Sequence, residues 1–420
     1  MKALANTPPR GWNSWDCYGA SVREDEVKRN ADYMAANLKE FGWEYVVVDI
    51  QWFEPTAMSA DYNKDAALIM DEYSRLMPAV NRFPSAKDGA GFKPLGDYIH
   101  NLGLKFGIHI LRGIPKQAVR QNTKILGTNH TAAEIADIGS ICSWNGDMCG
   151  VDMSREGAQE YYDSIFKLYA EWGIDFVKVD DIARPYHKAE VEAIKKAIDK
   201  TGREIVLSLS PGAATVAEAV HLAEYANMWR MTDDFWDNWG LLKKMFDYCR
   251  DWFPYVKEGH WPDCDMLPLG KIGIRSHGGG RMTNFTHSEQ KLLMSLWCIF
   301  RSPLMFGGDM IYNDEFTLSL MQNKKILDIN INSHAGREVY RKGYEIVWAA
   351  NVNNGEYYIA QFNVGEGNIT AVTNLSFIGI ESKASATELW TDAAGVISEN
   401  GELVSEVEPH GVRLYKVELK

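Results

Sequence analysis

A membrane span needs ~20 consecutive apolar residues, and no run in this 420-residue chain approaches that. Positive charge is sparse as well: 44 Lys and Arg stand against 57 Asp and Glu, a net −13, and the basic residues form no block. Binding to nucleic acid calls for a positive footprint, so that class of partner is disfavoured. Cysteine is limited to Cys17, Cys142, Cys149, Cys249, Cys264 and Cys298. None makes a C-x-x-C pair, which argues against a zinc site and for reduced thiols in a cytosolic protein. The opening Met1-Lys2-Ala3-Leu4-Ala5-Asn6-Thr7-Pro8-Pro9 lacks the apolar h-region of a secretory signal, and a cytoplasmic location is expected. No G-x-G-x-x-G follows the first strand, so nothing argues for a dinucleotide, and no cofactor is expected.

What the chain does have is apolar mass, with 46% hydrophobic and 12% aromatic residues, including 14 Trp and 19 Tyr. That supports a large core and excludes a disordered chain. The length favours two domains. Over the first three quarters strands alternate with helices. Arg10–Asn13 opens a strand, and Ser21-Val22-Arg23-Glu24 reads as a capping box ahead of Val27, Ala31, Met34, Ala35 and Leu38 at helical spacing. Tyr45–Asp49, Lys105–Ile110, Asp175–Asp181, Glu204–Ser208 and Asn227–Arg230 read as further strands, with two more near Asp263–Leu267 and Ser302–Phe306. Helices are expected over Leu95–Leu102, from about Ser154 to Trp172, and after a capping box at Thr286–Glu289. Roughly eight such units predict an α/β fold, a (β/α)8 TIM barrel over residues 1–332. Residues 333–420 change to short alternating strands, with hairpin signals at Asn353-Asn354-Gly355 and Asn400-Gly401. That predicts a C-terminal antiparallel β-sandwich.

Barrels of this kind build their sites at the carboxyl ends of the strands. Those ends supply Asp49, His109, Lys178 with Asp180, Ser210, Arg230 with Asp234, and Asp265. Alternation along a strand puts Lys178 and Asp180 on one face, and an ammonium there favours an ionised Asp180 carboxylate suited to nucleophilic attack. A carboxylate cluster either ligates a hard cation or cleaves glycosides. Lys178 and Arg230 would compete with a metal for those carboxylates, so glycoside cleavage fits better.

The motifs Thr7-Pro8-Pro9-Arg10-Gly11-Trp12-Asn13-Ser14-Trp15, Tyr45–Asp49, Gly103–Ile108, Lys178-Val179-Asp180, Trp229-Arg230 and Asp263–Leu267 occur in the order seen in glycoside hydrolase family 27, the α-galactosidase family, which this sequence resembles. The resemblance covers residues 7 to about 330, and the β tail agrees. It implies Asp180 as nucleophile and Asp234, four residues past Arg230, as general acid/base in a retaining double displacement, with Asp233 a rival that misses the spacing. It also implies Trp12 as a pocket wall, Asp49 at the axial 4-hydroxyl, Lys178 near the 3-hydroxyl, and Arg230 with Asp265 near the 2-hydroxyl. Asp234 would need a raised pKa to serve as both acid and base. The partner implied is a small carbohydrate substrate; relatives are often dimers or tetramers, so a homo-oligomer is expected.

Three departures from the family pattern bear on specificity. α-Galactosidases usually carry two adjacent aspartates at the second strand, and this chain has Asp49-Ile50. Isoleucine offers no hydrogen bond to a hydroxymethyl group, and β-L-arabinopyranose has the ring stereochemistry of α-D-galactopyranose without C6. The resemblance is therefore to the family's β-L-arabinopyranosidase-like bacterial members. Ser208-Leu209-Ser210-Pro211-Gly212-Ala213 leaves small residues at the fifth strand, which keeps an N-acetylgalactosamine substrate open beside arabinopyranose and galactose. Ile182 stands where a cysteine usually follows the nucleophile, His109 stands where secreted relatives often have tyrosine, and an insertion-like stretch runs over 113–150, with Trp144, Asn145 and Asp147 near the mouth. A non-catalytic sugar-binding barrel and a divalent-metal enzyme remain the alternatives from other classes.

Overall fold

The computed structural model describes residues 4–420 apart from Pro211, Asn354 and Ser382. Eight parallel strands form the first sheet: β1 (Arg10–Asn13), β2 (Tyr45–Val48), β3 (Lys105–Leu111), β4 (Phe176–Asp180), β5 (Val206–Leu209), β6 (Met228–Arg230), β7 (Trp261–Asp263) and β8 (Leu304–Phe306). Neighbours pair in chain order, and β1 also pairs β8. The ring is completed just past β7, where the Leu267 N–H donates to Met305 O (2.7 Å) and the Gly307 N–H to Leu267 O (3.0 Å). This is the expected (β/α)8 barrel.

Outer helices follow the strands: α1 (Glu24–Asn37), α2 (Lys93–Asn101), α3 (Ala158–Glu171), α4 (Lys188–Thr201), α5 (Ala219–Tyr225), α6 (Trp239–Trp252), α7 (His287–Phe300), α8 (Glu315–Met321) and α9 (Lys324–Asn332). In α1 the buried stripe is Val27, Ala31 and Met34, continued by Leu38 just beyond its end. Each large apolar side chain in that stripe is worth roughly 1.5–3 kcal/mol when fully buried. The capping box that starts α1 is Arg23 with Glu26, not Ser21 with Glu24. Ser21 sits in a preceding 3₁₀ turn, its hydroxyl donating to Tyr18 O.

The barrel interior is graded along its axis. Tyr45, Val47, Phe176, Val206, Met228, Trp261 and Met305 form an apolar floor. Two residues further along the same strands the inward positions are Asp49, Lys178, Ser208, Arg230 and Asp263, as the period-2 alternation requires. Gly107 on β3 lacks a side chain because Phe176 and Val47 already fill the layer; a Cβ there would lie 3.0 Å from both.

The stretch 113–150 folds as an insertion between β3 and α3. Strands Ile114–Pro115, Met148–Val151 and Ala136–Ile141 form a small antiparallel sheet with two short helices. Past the barrel come β9 (His334–Lys342), β10 (Glu345–Asn351), β11 (Glu356–Asn363), β12 (Ile369–Asn374), β13 (Ala384–Glu388), β14 (Val396–Ile397), β15 (Glu402–Val407) and β16 (Val412–Leu419). They make a five-stranded antiparallel sheet, β9-β10-β11-β16-β13, over a three-stranded one, β12-β15-β14. Strands β10 and β11 pair antiparallel as the hairpin signal predicts, but the turn itself includes Asn354 and lies outside the described residues.

The near-continuous apolar run Ile346–Ala350 has a simple cause. Val347 and Ala349 face the three-stranded sheet, while Ile346, Trp348 and Ala350 face the barrel helices. There Trp348 meets Phe300 of α7, and Phe362 of β11 meets Phe246 of α6, with ring centroids 6.2 and 5.0 Å apart. Among the described residues no helix is long and apolar enough to cross a membrane, and no group of three or more His, Cys, Asp or Glu is placed to hold a metal. All six cysteines are buried and unpaired.

Candidate active site

A cavity of about 950 Å³ opens at the carboxyl ends of the strands. Its wall contains Asp49, Ile50, Lys178, Asp180, Arg230, Asp234 and Asp265. Seven of the ten residues picked from the sequence are therefore brought to one surface.

Asp180, the last residue of β4, is buried and held from two sides. Its Oδ1 accepts the Asp181 N–H (2.6 Å), and its Oδ2 lies 2.8 Å from Nε2 of His109. His109 is fully enclosed and does not line the cavity, so it is a support for Asp180 rather than a sugar contact. Its Nδ1 has no partner, an arrangement satisfied by a ring with its proton on Nε2, donating to the carboxylate. The lysine expected to pair with Asp180 bonds elsewhere: Lys178 Nζ donates to Asp49 Oδ2 (2.9 Å). Side chains two residues apart on a strand are separated by nearly 7 Å of backbone, and the long lysine crosses the barrel instead.

Asp49 also accepts from Asn13 Nδ2 and from the Ile50 N–H, each at 2.8 Å. Burial would raise its pKa, but Lys178 and these hydrogen bonds hold it well below the ordinary carboxylate range. Burial would likewise lower Lys178, and Asp49 and Asp180 outweigh that, leaving a firmly charged ammonium. Fixed ionisation of this pair leaves oriented lone pairs and N–H donors for hydroxyl groups. Ile50 adjoins it on the wall, nearly fully enclosed.

On the opposite side Arg230 is buried between two carboxylates, Asp234 at 3.0 Å and Asp265 at 3.3 Å. Ser210 lies beneath it, off the wall, 3.4 Å from Arg230 Nη1. Asp234 is 48% exposed, whereas Asp265 is buried and accepts the Phe235 N–H at 2.8 Å. Asp234 does not show the raised pKa that the sequence led us to expect. Burial pushes it up, but Arg230 and Lys178 more than reverse this and hold it below the ordinary carboxylate value in the unliganded site. The rival Asp233 also lines the cavity, but it is held in an exposed ion pair with Arg184.

Trp12 faces the core, its indole donating to Gly308 O at 2.8 Å, and Trp15 lines the cavity in its place. Trp12 is inside β1, while Trp15 lies past the strand end, where barrel sites are built. Asp16, not foreseen, also lines the cavity and is nearly fully buried, with an unpartnered Oδ2. A Cβ on Gly307 would collide with that oxygen, so only glycine fits there. Burial first, then Asp265 and Asp234, push Asp16 well above the ordinary carboxyl value. Trp15 and Asp16 both lie just past β1, outside the strand ends from which the site residues were expected.

The cysteine replaced by Ile182 has a substitute brace. Buried Arg112 donates to Asp181 O (2.7 Å) and pairs with Asp181 Oδ2 and Glu190 Oε1, each at 3.0 Å. Its backbone N–H donates to Asp180 O at 3.0 Å. Burial, eased by Arg112, pushes Asp181 up to about 6. Arg112→Met removes the cation held between buried Glu190 and part-buried Asp181, and removing one partner from a buried pair costs about 3–5 kcal/mol. A loss of that size in urea unfolding is expected; a change under ~1 kcal/mol would show that the brace is idle.

A family model of "Alpha galactosidase A" matches residues 127–332, and one of the "Alpha galactosidase C-terminal beta sandwich domain" matches 342–417. The crystal structure of a family 27 β-L-arabinopyranosidase from Geobacillus stearothermophilus is 58% identical, with a TM-score of 0.97, and the match covers 99% of this chain and 97% of that one. The chain belongs to glycoside hydrolase family 27. Relatives of lower identity include α-galactosidase 2 of Arabidopsis thaliana, 26% identical over 98% of this chain and 89% of its own length. Another is the α-N-acetylgalactosaminidase of Gallus gallus, 26% identical over 82% of this chain and 75% of its own. The chain is thus a family 27 glycoside hydrolase.

Proposed function

We propose that this enzyme is an exo-acting β-L-arabinopyranosidase that also accepts α-D-galactopyranosides more weakly. The observation that carries this reading is Ile50 on the cavity wall beside Asp49. Asp49, ionised by Lys178, suits the axial 4-hydroxyl common to both sugars, and Ile50 occupies the place where a second carboxylate would hold the 6-hydroxyl. A hydroxyl buried without a partner costs ~1–3 kcal/mol, which disfavours galactose without excluding it. Support also comes from the 58% identical arabinopyranosidase and from a variant of that enzyme, 57% identical to this chain, whose structure holds arabinose.

In the proposed mechanism Asp180 attacks C1 and forms a glycosyl ester while Asp234 gives its proton to the departing oxygen. Water, deprotonated by Asp234, then hydrolyses the ester, with overall retention. Asp49 and Lys178 hold the 4- and 3-hydroxyls, and Arg230 with Asp265 the 2-hydroxyl. Entry of the sugar removes water from Asp234 and dilutes its pairing with Arg230, both of which move its pKa up toward a proton-donating value.

The test is kcat/KM for p-nitrophenyl β-L-arabinopyranoside against p-nitrophenyl α-D-galactopyranoside, for the wild type and Ile50→Asp. The wild type should favour the arabinoside, and Ile50→Asp should move the ratio about tenfold or more toward the galactoside, the equivalent of one buried hydroxyl. A wild-type preference for galactoside would refute the assignment. An unmoved ratio in the variant would show that Ile50 does not face C6.

A further inference from the structure

The cavity has more room than one pentose fills. At about 950 Å³ it reaches the upper end of the ~300–1,000 Å³ range of small-molecule sites, while Asp49, Lys178, Asp180, Arg230, Asp234 and Asp265 on its wall serve a single ring. The outer half is different in character. Trp15 stacks with Tyr62 at 6.3 Å and 21°, and Tyr62 adjoins Trp144 at 5.7 Å and 47°. Trp144 comes from the 113–150 insertion and remains 39% exposed, although most large aromatics of this chain are enclosed. Polar groups flank these rings, among them Lys64, Asn145 and Lys116 on the same wall.

A pyranose presents an apolar C–H face edged by hydroxyls, which is the complement of an aromatic surface rimmed by donors and acceptors. The half-exposed Asp234, proposed to protonate the leaving oxygen, lines the same cavity as these aromatic rings. We infer that Tyr62 and Trp144 form a leaving-group subsite for a second sugar ring, so that the substrates are oligosaccharides or polysaccharide side chains capped by the sugar held at Asp49. This rests on the glycosidase reading of the floor but not on which capping sugar is preferred.

The test compares two kcat/KM values for one capping sugar: a glycosyl fluoride, which has no second ring, and an oligosaccharide ending in the same sugar. The p-nitrophenyl glycoside serves as an aromatic control. In Trp144→Ala the oligosaccharide-to-fluoride ratio should fall about tenfold, a loss on the scale of one aromatic stacking contact, and Trp144→Phe should restore most of it. An unchanged ratio overturns the subsite, whether both substrates suffer equally or neither does. A loss confined to the p-nitrophenyl glycoside overturns the sugar class in favour of an apolar aglycone. If the enzyme turned over only galactosides, the same ratio measured with galactosyl fluoride and a galactosyl trisaccharide would still decide the subsite. A failed arabinose assignment and a failed subsite are therefore separable.

Discussion

Asp180→Asn should lower kcat on p-nitrophenyl β-L-arabinopyranoside by about 10⁴-fold or more, the scale seen when a nucleophile is removed from a working constellation. The substitution keeps the side-chain volume, and an amide oxygen can still accept the Asp181 N–H that Asp180 Oδ1 now accepts at 2.6 Å. Folding should survive with a melting temperature within a few degrees of wild type. What is lost is the charge that forms the bond to C1. Mass spectrometry of rapidly quenched wild-type enzyme should show one added glycosyl on the peptide bearing Asp180, absent in the variant. Activity above ~1% of wild type in a well-folded Asp180→Asn would remove the residue from this role.

The second large effect is at Asp234, and it depends on the leaving group. Positioned general acids contribute ~10²–10⁴ in rate, most where the departing oxygen is basic. Asp234→Ala should therefore nearly abolish turnover of alkyl glycosides and oligosaccharides while sparing more of the p-nitrophenyl reaction. Added azide should speed the variant and yield a glycosyl azide of retained configuration, because a small nucleophile fits the space vacated by the carboxylate. The alkaline limb of the pH–rate profile, which reports a group that must be protonated, should disappear. Equal losses across leaving groups, with no azide effect, would leave Asp234 as a mere partner of Arg230.

Much of this was legible because barrels convert one-dimensional order into position. Period-2 alternation along β2, β4 and β7 put Asp49, Asp180 and Asp265 at one mouth, and the structure brings them there. The same logic applied to β1 would have pointed to Trp15 and Asp16 rather than Trp12, since the site draws on residues just beyond each strand's carboxyl end. The partner of Lys178 was not legible, because a long side chain chooses among groups across the barrel and not only along its own strand. Nor was the direction of the Asp234 shift, which balances burial against two cations whose distances only the fold sets. Tyr62 and Trp144 lie in long connections without periodicity, and their meeting at 5.7 Å has no signature in either segment.

The five-stranded C-terminal sheet is covered on both faces, by the three-stranded sheet on one side and by α6 and α7 on the other. Phe246 and Phe300 on those helices pack against Phe362 and Trp348 of the sheet within one continuous core. Two parts separable along the chain are one unit by packing, so the barrel cannot be treated as a free-standing cassette. The sandwich is the lid of its hydrophobic core, and exchanging it between relatives would require rewriting both helix faces beneath it.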